Sequence, residues 1–272
     1  MPCIYAHDSF GKKVAGILPK ELQDIIRNHE KEFQIGLQGP DFLFFYHPLL
    51  KLRTNQMGYW QHGQTIADFL TALLPSLRKS ASHNNGTYAY LLGFICHFIL
   101  DSECHSFVIP ISEKPGVSHL AVENEFDRHL LKKDGCTPVT YPVWRKIPTS
   151  HTVVNAIHRA YRPLHLKKKH IRRALRGMRF YKRMLTCGCS LKRALIRACM
   201  KLSMHYEKLE GHMMTLRPKK YAAKTNQSLQ YLYDNAIPLA REVLEDFHHS
   251  VVSGKKLHPR FYTTFKNNVQ CE

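Results

Sequence analysis

Apolar residues recur along this chain with the helical period of 3.6, and no useful stretch shows the alternation of a strand. Leu22, Ile25 and Ile26 form one stripe, behind the helix-start signals Pro19 and Glu21. Gly36, Gly39 and Pro40 then interrupt the chain ahead of Asp41 and the short aromatic segment Phe42 to Tyr46. Residues 51–63 read as a loop. Ile66, Phe69, Leu70, Leu73 and Leu74 predict a second helix, which Pro75 is expected to kink or end. SASHNNG at 80–86 reads as a turn. From Thr87 to about Cys104 the chain is apolar nearly all round, which predicts a buried central helix. EKPGV breaks it, and Ser118 can cap a helix from His119 to about Lys133, ending near Gly135. Ala121 stands where a full capping box places Glu or Gln. Residues 136–150, with three prolines, read as a connection. Ile171, Leu175, Met178, Tyr181 and Leu185 then mark a helix with Arg and Lys over its opposite face. Two more helices are expected at about 190–208 and 226–249. The predicted fold class is all-α.

Length and charge refine this picture. A chain of 272 residues can build one large domain or a domain with an appended subdomain. Residues 1–150 carry 15 Lys+Arg against 14 Asp+Glu, whereas residues 151–272 carry 25 against 7. The net charge of +19 therefore sits almost wholly in the C-terminal half. Such a surface attracts phosphate-rich partners, and also serves simply to keep a protein soluble. No apolar run reaches the ~20 residues of a bilayer span. MPCIYAHDSFGKK has no basic leader followed by an apolar core, so a cytoplasmic protein is expected. The eight cysteines form no C-x-x-C pair and are expected to be free thiols.

The candidate chemistry lies between Tyr88 and Arg128. His97 and Asp101 are four residues apart, as are His119 and Glu123, with His105 between the pairs. On a helix each pair shares one face and offers an imidazole beside a carboxylate, the donor set of a divalent metal. A carboxylate inside an apolar helix is costly unless it is paired or binds metal, and His97 and Asp101 sit in a segment otherwise built of Leu, Phe, Ile and Cys. A metal-free hydrogen-bonded His–Asp pair is the alternative for one pair alone; two pairs and a third histidine point to metal. Upstream, His7, Asp41 and His62 enlarge the candidate ligand set to His7, Asp41, His62, His97, Asp101, His105, His119 and Glu123. Eight ligands exceed the needs of one ion and suit two or three. Each upstream residue has a plainer reading: a surface histidine, a helix cap and a loop histidine. Asp127 is a candidate partner for a ligating imidazole, and Glu125 is expected to face solvent.

The run His97-x3-Asp101-x3-His105-x13-His119-x3-Glu123 resembles the bacterial zinc-dependent phospholipase C family, whose superfamily includes zinc nucleases acting on single strands. His7, Asp41 in GPD and His62 look like the family's upstream ligands. The resemblance spans roughly residues 1–135 and implies a multi-helix bundle around a buried cluster of two or three Zn2+. It also implies a bridging role for Asp101 and hydrolysis of a phosphodiester. Two departures stand out. Secreted members ligate metal with a processed N-terminal Trp, where this chain has Met1-Pro2-Cys3, and the spacing from Asp101 to the next histidine is shorter here.

These readings divide the chain into a metal-binding helical core, 1–135, and a basic helical region, 136–272, packed on it as one domain. They predict water activated by zinc attacking a phosphoryl group, with Asp41 as the base that orients it. Phe44, Phe45, Tyr46, Tyr59 and Trp60 are candidates to hold an acyl chain or stack on a base, or simply to pack the core. The expected substrate is a phospholipid or related diester, with an anionic membrane surface as a further candidate partner. A nuclease or other phosphodiesterase on the same scaffold is the first alternative. A non-catalytic, metal-stabilised interaction protein is the second.

Overall fold

The computed structural model describes residues 4–79, 85–202 and 206–266. The helices are α1 (Ile4–Ile17), α2 (Lys20–Asn28), α3 (Glu30–Gly36), α4 (Arg53–Gly63), α5 (Ile66–Arg78), α6 (Gly86–Ser112), α7 (His119–Lys133), α8 (His151–Ala160), α9 (Lys168–Leu185), α10 (Ser190–Leu202), α11 (Tyr206–Glu210) and α12 (Ala222–Val252). Short 3-10 turns intervene, notably at Asp41–Phe45, Val143–Lys146 and Pro259–Tyr262. Among the described residues there is no strand, only an isolated bridge between Thr65 and Thr264. The fold is all-α.

Helix α6 is the axis of the molecule. The Asn85 side chain accepts from the Tyr88 amide at 3.0 Å and starts it. Every residue from Thr87 to Ser102 is buried. By length and composition α6 could cross a membrane, but most of its apolar window is buried against other helices. Helices α1, α3, α7, α8 and α12 all pack on it. The crossing with α3 is backbone against backbone. A Cβ on Gly93 would lie 2.3 Å from the Phe33 carbonyl oxygen, and one on Gly36 would lie 2.2 Å from that of Tyr90. Only glycine permits that approach.

Several elements differ from the sequence expectation. Residues 53–63 of the expected loop are helical, as α4, and the buried face there is polar: Thr54, Asn55, Gly58, Gln61 and His62. With no apolar stripe the pattern carries no helical period. Asn55 organises the segment, accepting from the Leu52 amide at 2.9 Å and donating to the carbonyls of Tyr46 and His47. Pro75 does not end α5, which continues to Arg78. The single carbonyl it orphans is that of Thr71, on the exposed side. Helices α6 and α12 likewise run through Pro110 and Pro238, and α6 extends eight residues past Cys104. The helix expected at 190–208 appears as α10 and α11, with residues 203–205 outside the described residues. Most of the expected 80–86 turn also lies outside them, as do Cys3 and Cys271.

Candidate metal centre

Five elements deliver the eight candidate ligands to one place. His7 comes from α1, Asp41 from the first position of the 3-10 turn, and His62 from the last turn of α4. His97, Asp101 and His105 occupy successive turns of α6, and His119 and Glu123 the first two turns of α7. All are buried except His119, whose side chain is 28% exposed. Asp101 is the hub. Its oxygens lie 3.2 Å from His7 Nε2, 3.3 Å from His97 Nε2, 3.8 Å from His62 Nε2 and 3.9 Å from His105 Nε2. Asp41 lies 3.1 Å from His62 Nε2. Glu123 lies 3.0 Å from His119 Nε2 and 3.5 Å from His105 Nε2. Three groups have donor atoms mutually within 4.8 Å: His7, His97 and Asp101; Asp41, His62 and His97; His105, His119 and Glu123.

The tautomers test whether a cation fits. His62 Nδ1 is 2.7 Å from the Gly58 carbonyl, His97 Nδ1 is 3.3 Å from that of Leu37, and His105 Nδ1 is 2.9 Å from that of Phe265. A carbonyl only accepts, so each Nδ1 carries the proton and each Nε2 of a neutral ring is a lone pair. Those three Nε2 atoms are buried and lack a well-formed hydrogen bond. They face carboxylate oxygens, and acceptor against acceptor at this range repels unless a proton or cation lies between. The donor set therefore fits divalent metal ions.

Charge in the cluster agrees. Burial would raise the carboxylic acids, but the surrounding positive charge and imidazole hydrogen bonds outweigh it and hold Asp41, Asp101 and Glu123 well below the usual range. Burial, then the proximity of His97, lowers His7 and favours the neutral ring a metal requires. For His105 burial acts the same way, but the neighbouring Asp101 and Glu123 carboxylates overcome it and raise the pKa.

The surroundings hold the ligands in place. Gly39, at φ 46°, lies so close to His97 that a Cβ there would meet the imidazole at 2.1 Å. Asp127 accepts from the amides of Tyr5, at 3.2 Å, and Ala6, at 2.7 Å. It thus anchors the first turn of α1 just ahead of His7. Glu125 does not face solvent. It is buried, pairs with Arg128 at 3.1 Å and accepts from Thr215 Oγ1 at 3.0 Å, because the segment after α11 covers that side of α7. Of the aromatics, Phe45 is buried and Phe44 half-buried, whereas Tyr59 and Trp60 are 57% and 51% exposed.

Phe265, in the basic half, reaches the centre unforeseen, and two further residues of that half, Lys182 and His212, form a pair. The Phe265 carbonyl orients His105, and its ring lies 4.7 Å from that of His62. Lys182 is buried on α9, and its charge acts with burial on His212, which is pushed down to about 3. His212 also feels Glu123 and Asp41. Lys182 carried a signal, since it falls on the apolar stripe of α9 between Met178 and Leu185. His212 and Phe265 sit in connecting segments and had none.

Fold and site together define an all-helical protein with a buried nitrogen and oxygen donor cluster for divalent metal. Residues 6–175, more than half of the chain, match the family model of zinc dependent phospholipase C, and the chain belongs to that family. The match runs past residue 135 through α8 and into α9, further than the motif alone reached. No curated protein and no solved structure matches the chain.

Proposed function

We propose that this protein is a zinc-dependent phosphodiester hydrolase that cleaves phospholipid between glycerol and phosphate. One observation carries the reading: three donor triads converge around Asp101, with histidine lone pairs aimed at carboxylates. His7 with Asp101 would hold one ion and His62 with Asp41 a second, His97 joining one of these two through its single Nε2 lone pair, and His105, His119 and Glu123 would hold a third. Zinc there supplies Lewis acidity toward a phosphoryl oxygen and lowers the pKa of water toward ~7. Asp41 stays ionised beside His62 and would be the carboxylate that orients the attacking water. Asp101, whose two oxygens face different histidines, would be the carboxylate shared between ions. Family membership supports the hydrolase class and a phospholipid substrate.

Elemental analysis with a substrate panel tests this reading. The purified protein should contain zinc and release diacylglycerol from phospholipid, and a chelator should abolish turnover. A protein that neither holds zinc nor gains stability or diesterase activity from it would sink the proposal. Turnover confined to single-stranded DNA would move the activity to the nuclease side of the same scaffold.

A further inference from the structure

The outward face of α9 is a cationic strip unrelated to the metal ligands. The helix carries eight Lys and Arg and no Asp or Glu. At 100° per residue, Lys169, Arg172, Arg173, Arg176, Arg179 and Arg183 fall within an arc of about 120°, together with Phe180, over ~21 Å of helix. Arg172 is half-buried and the other five cations are exposed. Among the described residues none of the six forms an ion pair with a carboxylate. Their mutual repulsion is a standing cost that a polyanionic partner would remove.

Both flanks of the strip carry aromatic surface. On one side a groove of about 650 Å³ lies between α9 and the segment after Asp41–Phe45, lined by Tyr46, Pro48, Arg172, Arg173, Arg176 and Phe180. On the other, the guanidinium groups of Arg145, Arg179 and Arg183 sit 5.3, 5.5 and 5.3 Å from the Trp144 ring centre. The chain beyond Pro48, which lines the groove, is an exposed apolar segment. Leu49, Leu50 and Leu52, immediately after Pro48, are 53%, 55% and 36% exposed. Asn55 braces the stem of that segment through the carbonyls of Tyr46 and His47. Single exposed leucines need no explanation, but three in four residues beside an unpaired arginine strip do.

Aliphatic side chains decide between polyanions. Leucines cannot stack on bases, whereas the acyl boundary of a bilayer accepts them while its headgroups take the arginines. We propose that this face docks the protein on an anionic phospholipid bilayer, with Leu49 and Leu50 in the interface and the α9 arginines on the headgroups. The groove starts at Phe45, the last residue of the turn whose first residue is the candidate ligand Asp41. Docking would therefore bring lipid close to the centre. The proposal builds on the hydrolase reading for its purpose, but binding requires neither metal nor turnover.

Vesicle sedimentation of the full chain in chelator tests it. Vesicles roughly one-third phosphatidylserine should bind the protein, and pure phosphatidylcholine vesicles should bind it far less. Binding should weaken steeply as salt rises from about 0.1 to about 0.5 M. The triple variant Arg172→Gln, Arg173→Gln, Arg176→Gln should lose roughly 100-fold in partitioning, at about fivefold per surface cation. Leu49→Ser with Leu50→Ser should lose roughly tenfold or more, a loss that persists at high salt. All these positions lie outside the ligand set, so both variants should keep the thermal stability and the soluble-diester turnover of the parent. Equal binding to both vesicle types, or an unchanged triple variant, would overturn the proposal. So would a single-stranded oligonucleotide that binds more tightly than vesicles and is lost in the triple variant. Absence of turnover in every form would defeat the hydrolase reading and leave the docking result standing.

Discussion

Replacing Asp101 by Asn isolates the role of the hub carboxylate. Asp101 approaches four histidines, with oxygens 3.2 to 3.9 Å from their Nε2 atoms. The amide keeps the shape and removes the charge. In metal-free protein its NH2 can donate to one of those lone pairs, converting a repulsive contact into a hydrogen bond. The fold should therefore survive, and the metal-free melting temperature should match or exceed that of the parent. Metal binding should not survive. One site saturated at 100 times its Kd stabilises the folded state by about 2.7 kcal/mol. For a chain of this size that is worth roughly 5–10 °C, at ~2–4 °C per kcal/mol. The assay pairs thermal melts, with and without zinc, with zinc stoichiometry by elemental analysis. The parent should show the full shift, and Asp101→Asn should show little of it and lower zinc content. A variant with full zinc content and an undiminished shift would refute the reasoning.

Other perturbations probe the frame around the site. Gly93→Ala drives a Cβ to 2.3 Å from a backbone oxygen, so chemical denaturation should show a loss of about 3 kcal/mol. Glu125→Ala leaves buried Arg128 with only Thr215 as acceptor and should cost about 3 kcal/mol, where a solvent-facing glutamate would cost under ~0.5 kcal/mol. His212 gives a pH signature. Its folded pKa, about 3, lies below its unfolded value near ~6.5, so the unfolded chain binds the extra proton and stability falls as pH drops below ~6.5. In metal-free protein the step from about pH 7 to about pH 5 should cost up to ~2 kcal/mol through this residue. His212→Gln should remove that share of the pH dependence in urea titrations; an identical pH profile would place the histidine outside the buried centre.

Much of the fold was legible because its helices bury apolar stripes. Helix α7 runs from His119 to Lys133 as Ser118 and Gly135 suggested, and α9 buries Ile171, Leu175, Met178 and Leu185 as their spacing required. The failures have one cause: local rules yielding to tertiary context. Helix α4 turns a polar face inward, so hydrophobic periodicity cannot see it. Pro75, Pro110 and Pro238 sit inside helices because a long helix loses only one hydrogen bond at each, while packing fixes the rest. The backbone contact of Gly36 with Gly93 depends on the crossing of two helices far apart in sequence, and no single segment announces it.

The site divides in the same way. His97, Asp101, His105, His119 and Glu123 were legible because their ligand geometry is helical geometry, i and i+4, written on two neighbouring helices. His7, Asp41 and His62 were candidates only on the strength of the downstream set, since each lies on a different element and only the fold brings them to the cluster around Asp101. The chain beyond residue 175 supplied the surprise. A half read only as charge contributes the Phe265 carbonyl that fixes His105 and the buried Lys182 beside His212. The same helix that points Lys182 inward turns six other cations outward. Its basic character is thus two separate features: one buried cation beside His212, and a solvent-facing strip with no carboxylate partner among the described residues. Net charge sums the two, and only the helical period separates them.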